Sequence, residues 1–389
     1  MKTEKFTRRV REIKVSAIKQ MPLIAIKFPN VVSLGQGIPS LPTPKYIREQ
    51  VIQALNNDNS IGKYSLQPGM TALKQAVAKV VEKKCLREVD AEKEIFISAG
   101  AMEALFTAIV SIVEDGDEVI LFDPSYASHI EQVIFAGGVP VYVPLEKAWN
   151  ISIEKLSLAI TAKTKAIIVC SPNNPTGKVF PENDLKAIVE LANQNDLFLI
   201  ADETYDFLVY DNLKFKSLSS LTKNKLIACY SFSKEYAMTG WRLGYMYAPA
   251  DVIEQCLKVH DAAVIAAPTI SQFAGLAALS EVNSSEVAEI KTALEDRRNL
   301  MCQRLDKLSD LFEYEKPMGA YYILTKYKKT NLNSEQFAIK LLEEAQVITI
   351  PGNAFGPSGE GHIRMSFGGT ESEINEAFDR IERWNKNLK

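Results

Sequence analysis

The sequence predicts an α/β protein in which a mostly parallel sheet carries helices on both faces and a smaller α+β unit follows it. Three observations predict this. From about residue 95, short runs rich in β-branched residues alternate with helix-length stretches, the order that gives parallel strands joined by crossover helices. From about residue 284 the order changes to one long helix and then strand–helix–strand–strand–helix. The chain is 389 residues long, too long for a single ordinary core.

Taken in order, the first twenty residues hold seven basic side chains: Lys2, Lys5, Arg8, Arg9, Arg11, Lys14 and Lys19. Transit peptides are poor in acids, and Glu4 and Glu12 interrupt this run, so it reads as a surface helix or arm. The proline-rich segment Pro39–Pro44 reads as the hinge from that arm into the larger unit. Strands are expected over Glu94–Ser98, Glu118–Phe122, Val139–Val143, Lys165–Ser171, Leu197–Asp202, Lys225–Ser231 and Arg242–Ala248. Helices are expected between several of them, notably Met102–Val113 and Glu182–Gln194. The long helix spans 284–309. Strands near Ala320–Thr325, Val347–Ile350 and His362–Phe367 and helices over Ser334–Ala345 and Glu371–Asn385 complete the smaller unit. The divisions are an arm at 1–45, a large unit at 46–285 and a small one at 286–389. Functional groups then belong where strand ends and loops converge.

The hydrophobic fraction is 47% and the charged fraction 24%, close to the globular average, so a large core can form. Net charge is −3, from 45 basic and 48 acidic residues without long single-sign blocks, which removes the footprint of a nucleic-acid binder. The most apolar stretch, Ala104 to Val113, is broken by Thr107 and Ser111 and falls short of the roughly 18 residues a membrane span needs. Cys85, Cys170, Cys229, Cys256 and Cys302 form no C-x-x-C pair, and His129, His260 and His362 are as dispersed, so no metal-ligand spacing is present. A reducing, cytoplasmic location fits. Cys170 and Cys229 sit inside apolar runs as small core residues.

Chemistry concentrates in four segments. In Tyr230-Ser-Phe-Ser-Lys-Glu-Tyr-Ala-Met-Thr-Gly-Trp-Arg242, Lys234 lies just past an apolar strand, where a lysine can form a Schiff base with an aldehyde cofactor. Ser231 and Arg242 flank it and suit a phosphate, the arginine bidentately. Read alone, the segment equally fits a surface lysine with an arginine nearby. In Leu199-Ile-Ala-Asp-Glu-Thr-Tyr205, Asp202 ends a hydrophobic strand, and a buried carboxylate needs a partner. A protonated pyridine nitrogen suits it, as does a lysine or arginine of the fold. Ser171-Pro-Asn-Asn-Pro-Thr-Gly177 specifies a tight turn, or offers the Asn174 amide to a phenolic oxygen. Ser98-Ala-Gly-Ala-Met-Glu-Ala104 is a strand-to-helix turn whose backbone amides suit a phosphate.

Together these segments, from Leu34-Gly-Gln-Gly-Ile-Pro39 to His362-Ile-Arg-Met-Ser-Phe367, resemble the class I/II aminotransferases, the aspartate-aminotransferase-like group of pyridoxal-phosphate enzymes. The resemblance covers nearly the whole chain. It implies a large domain with a seven-stranded sheet of the fold-type-I kind, and a small domain made from both chain ends. It also implies pyridoxal 5′-phosphate as cofactor and an amino acid and a 2-oxo acid as substrates. By the same resemblance, Lys234 tethers the cofactor and shuttles the proton at Cα, and Asp202 keeps the pyridine nitrogen protonated. Asn174 and Tyr205 bond the phenolic oxygen, and Tyr126, in Phe122-Asp-Pro-Ser-Tyr126, stacks on the ring. Arg242, Ser231 and Ser233, with backbone amides at Gly100, Ala101 and Met102, hold the phosphate. Arg364 grips the α-carboxylate as a fork, with Gly37 and Asn174 beside it. Tyr64 reaches the phosphate of the neighbouring subunit's cofactor, which makes the functional unit a homodimer.

Two departures concern substrate. Some aspartate-preferring relatives have a lysine at the position of Met102 that reads the distal carboxylate, and the Gly-x-Pro motif carries the apolar Ile38. With Tyr126, and Phe355 closing over the mouth, these favour a neutral donor such as methionine, glutamine or an aromatic amino acid over aspartate. The nearest rival reactions on this scaffold are β-elimination by a C–S lyase and ring closure by cyclopropane-forming synthases; aspartate aminotransferase is the alternative within the class. A DNA-binding regulator needs an added helix-turn-helix domain before the match, which starts within about the first 30 residues. An inactive homologue conflicts with the presence of Lys234, Asp202, Arg242 and Arg364.

Overall fold

The computed structural model describes residues 5–13, 17–280 and 284–387. Lys2, Glu4 and Lys14 of the basic segment lie outside them. The strands are β1 (Val32–Ser33), β2 (Ile95–Ser98), β3 (Glu118–Asp123), β4 (Val139–Pro144), β5 (Thr164–Cys170), β6 (Phe198–Asp202), β7 (Leu226–Ser231), β8 (Gly244–Tyr247), β9 (Phe312–Tyr314), β10 (Tyr322–Tyr327), β11 (Val347–Ile348), β12 (Ile350–Pro351) and β13 (His362–Ser366). The helices up to the sheet's last strand are α1 (Arg8–Glu12), α2 (Ala17–Ala25), α3 (Lys45–Asn57), α4 (Thr71–Cys85), α5 (Ala101–Ile112), α6 (Ala127–Ala136), α7 (Ile153–Ala159), α8 (Glu182–Gln194) and α9 (Phe232–Glu235). After it come α10 (Ala250–Val264), α11 (Thr269–Ala278), α12 (Ser284–Asp306), α13 (Ser334–Ala345) and α14 (Glu371–Asn387).

Continuous apolar, β-branched runs are the signature of strands buried on both faces. Such runs build a seven-stranded sheet in the order β2-β8-β7-β6-β5-β3-β4. Side chains alternate between its faces. Ile167 and Val169 of β5 and Leu199 and Ala201 of β6 pack with Leu73 and Val77 of α4 and Ile188 of α8. Ala166, Ile168 and Ile200 pack with Ala104 of α5, Val133 of α6 and Ile253 of α10. All of the strands are parallel except β8, which is antiparallel to both β2 and β7. Its first residue, Gly244, therefore pairs with the last residues of its neighbours, Ser98 and Ser231. The chain entering β8 thus meets the chain leaving the parallel strands at one edge. Arg242, expected inside this strand, precedes it in a left-handed conformation, φ 53°.

A second sheet orders β12-β13-β10-β9, and β1 pairs in parallel with β11. The single strand expected over 347–350 is therefore two, because Val347–Ile348 takes β1 as partner and Ile350–Pro351 takes β13. β9, unexpected from the sequence, is three residues long with Glu313 at its centre. In α14, Ile374, Ala377, Phe378, Ile381 and Trp384 follow helical spacing and bury against Phe337 and Leu341 of α13. Met21, Ala25 and Leu34 from the N-terminal part join this core. The α12 helix stops at Asp306, short of the expected 309. In α1 no residue is buried, and Arg9 bridges to Asp115 at 2.5 Å across the surface.

The Pro39–Pro44 segment is not a free hinge. Ser40 N donates to Gly368 O at 2.8 Å and Thr43 Oγ1 to Ala237 O at 2.8 Å, so it is pinned to both sheets' surroundings.

Gly244 shows how tightly the sheet edge is built. A Cβ there would stand 2.6 Å from Ala101 N, 2.7 Å from Tyr230 O and 2.8 Å from Gly100 C, all of them backbone. Gly244→Ala is expected to cost about 1–3 kcal/mol by overpacking. Urea unfolding should show a lower midpoint at unchanged slope; an unshifted midpoint would contradict the contact.

Candidate active site

The carboxyl ends of β2, β3, β5, β6 and β7 and the start of β8 border one cavity of about 400 Å³. Asp202 closes β6 and is 4% exposed. Thr204 donates to its Oδ1 from both its backbone N (3.2 Å) and its Oγ1 (2.7 Å). His129 Nε2 lies 2.9 Å from Oδ2. Burial pushes the Asp202 carboxyl up, but the bond and charge of His129, with the Thr204 bonds, outweigh it and hold the group below its ordinary value. The carboxylate is thus ionised and accepts only, so His129 donates. Three of its roughly four acceptor positions are filled, which leaves one for a cationic N–H in the cavity.

Lys234 sits on the one-turn helix α9, capped by Ser231, whose Oγ accepts from Ser233 N at 3.1 Å. Its Nζ donates to Gly37 O at 2.8 Å. Burial, then the positive charges of Arg242 and Arg364, lower its pKa to about 7, against the pull of Asp202. A neutral amine is a nucleophile toward carbonyls; an ammonium is not.

Two features suit anions. Gly100, at φ 88°, begins α5 with no side-chain cap, so the amides of Ala101 and Met102 stay available there. A Cβ on Gly100 would meet Arg242 Nη2 at 2.5 Å, so glycine lets the guanidinium close on this turn. Arg364, on β13, is 2% exposed and donates to Asn174 Oδ1 (3.1 Å) and Gly35 O (2.8 Å). Its Nε is buried without a partner, and no carboxylate among the described residues forms an ion pair with it. A buried cation without a counter-ion is costly, and a carboxylate ligand relieves it. Because Asn174 Oδ1 is taken, its Nδ2 is the end left to donate.

Of the residues singled out in the sequence, Lys234, Asp202, Tyr205, Ala101, Met102, Tyr126, Asn174, Ser231, Ser233, Arg242, Gly37 and Arg364 line this one cavity. Gly100 lies directly behind it against Arg242. Tyr64 does not join them and is 76% exposed. Phe355 does not close over the mouth: it is fully buried, behind the Arg364 guanidinium at 4.9 Å from its ring. Its place is fixed by its short helical turn, with Ser125 N donating to its carbonyl.

Sequence reading missed His129, Thr204, Tyr321 and Tyr322. His129 lies one turn beyond Tyr126, and the need of Asp202 for a buried partner was the available signal for it. Tyr322 stands inside a strand run with nothing to mark it. Its hydroxyl lies 3.0 Å from that of Tyr205, and its ring lies 4.3 Å beneath Arg364. It also explains Gly37, where a Cβ would meet the Tyr322 hydroxyl at 2.2 Å.

With this fold and site, the chain belongs to the class I and II aminotransferases, whose family model matches residues 29–381. It is an aminotransferase. It is 37% identical to an aspartate aminotransferase of Pyrococcus abyssi over 373 residues, 95% of each chain. It is 35% identical to aromatic-amino-acid aminotransferase 2 of Thermococcus litoralis, covering 96% of this chain and 97% of that one. Among solved structures, aspartate aminotransferase from Thermus thermophilus with maleate superposes with a TM-score of 0.91 at 32% identity, over 97% of this chain and 99% of that one.

The environment of Lys234 gives a pH prediction. In the unliganded protein its reductive methylation by formaldehyde should rise with pH and level off above a midpoint near 7. Arg242→Gln should move that midpoint upward, since a neighbouring positive charge is gone. Mass spectrometry of the Lys234 peptide across pH reads both; a wild-type midpoint at the ordinary lysine value would contradict the assignment.

Proposed function

We propose that the cavity holds pyridoxal 5′-phosphate tethered to Lys234, and that the enzyme moves an amino group from a neutral L-amino acid to a 2-oxo acid. The observation that carries this reading is that Lys234, Asp202, Arg242 and Arg364 line one cavity. When bound, the cofactor supplies an electron sink for the pair left at the substrate's Cα. Lys234 Nζ holds the tether and, once free, takes and returns the Cα proton. Asp202 accepts from the ring nitrogen and keeps its proton in place. Asn174 Nδ2 and the Tyr205 hydroxyl donate to the phenolic oxygen, and Tyr126 covers the ring. Ser231, Ser233, Arg242 and the amides of Ala101 and Met102 hold the phosphate, beside Gly100, whose own amide donates to Ser98 O at 2.8 Å. Arg364, with Asn174 and the Gly37 backbone, receives the α-carboxylate. In this division of labour residues 46–285 supply the cofactor groups, and the flanking 1–45 and 286–389 supply Gly37 and Arg364 of the carboxylate receptor, which Asn174 joins from the large unit. The scattered cysteines fit a cytoplasmic location.

Donor preference follows from the lining. Among the described residues its cations are Lys234, Arg242 and Arg364, and each has a role above. Ile18, Ile38, Met102 and Leu105 form the apolar wall, so the distal carboxylate of aspartate finds no dedicated cation. Of the two relatives named above, one is an aspartate and the other an aromatic-amino-acid aminotransferase, at nearly equal identity, so the wall decides. Methionine, glutamine or an aromatic amino acid is expected to exceed aspartate in kcat/KM, with neutral donors spread over about 10–200-fold. Steady-state assays with 2-oxoglutarate test this; aspartate ahead of every neutral donor would overturn it.

The functional unit in this reading is a homodimer. Tyr64 is exposed and does not line its own cavity, and Ile52, Leu55, Leu66 and Ile265 are exposed apolar side chains. A Lys234→Ala protomer mixed with a Tyr64→Phe protomer should form hybrids with one intact site, about a quarter of all sites at random pairing. Activity above the sum of the two variants measured separately is expected; strict additivity after exchange would refute a shared site.

A further inference from the structure

Tyr205 and Tyr322 come from different sheets' surroundings, one from the turn after β6 and the other from the first position of β10. Both are buried, both border the cavity, and their hydroxyl oxygens are 3.0 Å apart. We propose that Tyr322 is a positioning residue whose hydroxyl strengthens the hydrogen bond Tyr205 donates to the cofactor's phenolic oxygen, and so sets the pH at which Lys234 Nζ loses its proton in the loaded enzyme. The proposal rests on the reading of Tyr205 given above and adds a residue that acts through it.

A phenol has one proton to give and lone pairs to receive. Once Tyr205 commits its proton to an acceptor in the cavity, its oxygen is left to accept, and the Tyr322 hydroxyl is the donor at bonding distance. A donor that itself receives a hydrogen bond is polarised and binds its acceptor more strongly, most of all where water is excluded. A stronger bond to the phenolic oxygen favours its anionic form and the unprotonated nitrogen at Lys234. The Tyr322 hydroxyl is fixed in place. Its ring is held under Arg364, and the missing Cβ of Gly37 is what makes room for it. The other titratable groups facing the pair are Tyr321, Tyr126 and Arg364, with Asp202, Lys234 and Arg242 along the same cavity wall. The neighbouring Tyr321 has its proton on Gly37 O at 2.6 Å, the carbonyl that also accepts from Lys234.

Tyr322→Phe keeps the ring under Arg364 and removes one oxygen. Titration of the visible absorbance of the cofactor-loaded enzyme against pH reads the proton at Lys234 directly. Tyr205→Phe is expected to raise that midpoint, and Tyr322→Phe to raise it by about half to one unit, the worth of one neutral hydrogen bond. The double variant should titrate like Tyr205→Phe alone, because Tyr322 has nothing left to act through. A midpoint unchanged in Tyr322→Phe, or additive shifts in the double variant, would overturn the proposal. A midpoint unmoved by Tyr205→Phe would overturn the role given to Tyr205, and the proposal with it.

Discussion

The site is organised around one constraint, a carboxylate that must stay charged at the dry end of a central strand. Asp202 is 4% exposed, so its charge has to be held largely by the protein itself. Thr204 does this from the same turn, and His129 from α6, the helix that follows β3, two strands away in the sheet. That demand fixes the turn after β6, the entry of α6 and the separation between them. Lys234 faces the same cavity from the next strand, an amine kept close to neutrality by burial and two guanidinium groups. Both groups are shifted downward, which keeps the carboxylate charged and lets the amine be neutral, and so they divide the proton work within one enclosure.

The sequence made legible what sits at strand ends. Lys234, Asp202 and Asn174 each adjoin an apolar run, and the rule that loops at strand ends carry function places them together before any coordinates. Arg242 was legible only as a neighbour of Lys234 in the sequence; that β8 runs backwards, so that a residue before it arrives at the same edge as residues after its neighbours, was not. Residues brought in by packing between sheets were not legible. Tyr321 and Tyr322 are adjacent in a strand whose alternation does not say which faces a cavity. Phe355 lies among apolar residues, and its side chain turned inward rather than over the mouth. The helices α3, α10 and α11, each beginning after a proline with no capping side chain, also escaped notice.

The short segment from Leu34 to Thr43 links these parts. Leu34 bonds between β11 and β13, Gly35 O receives Arg364, and Gly37 O receives both Lys234 and Tyr321. Ser40 and Thr43 then tie it to Gly368 and to Ala237. Ten residues of irregular chain thus touch the groups assigned to cofactor, proton and carboxylate, and a shift of this segment reaches all three together. Its backbone carbonyls, rather than its side chains, carry most of these contacts, so substitutions along it act chiefly by moving the chain.

Arg364 has a consequence for the empty protein. In the reading proposed above, a guanidinium walled in by Tyr322 and Phe355, with its Nε unpartnered, makes its end of the cavity an ion exchanger. Small anions of the medium compete for it before any amino acid arrives, and the first event of binding is an exchange of one anion for another. In that reading charge sorts acids from amines first, and the apolar wall sorts what the exchange lets through.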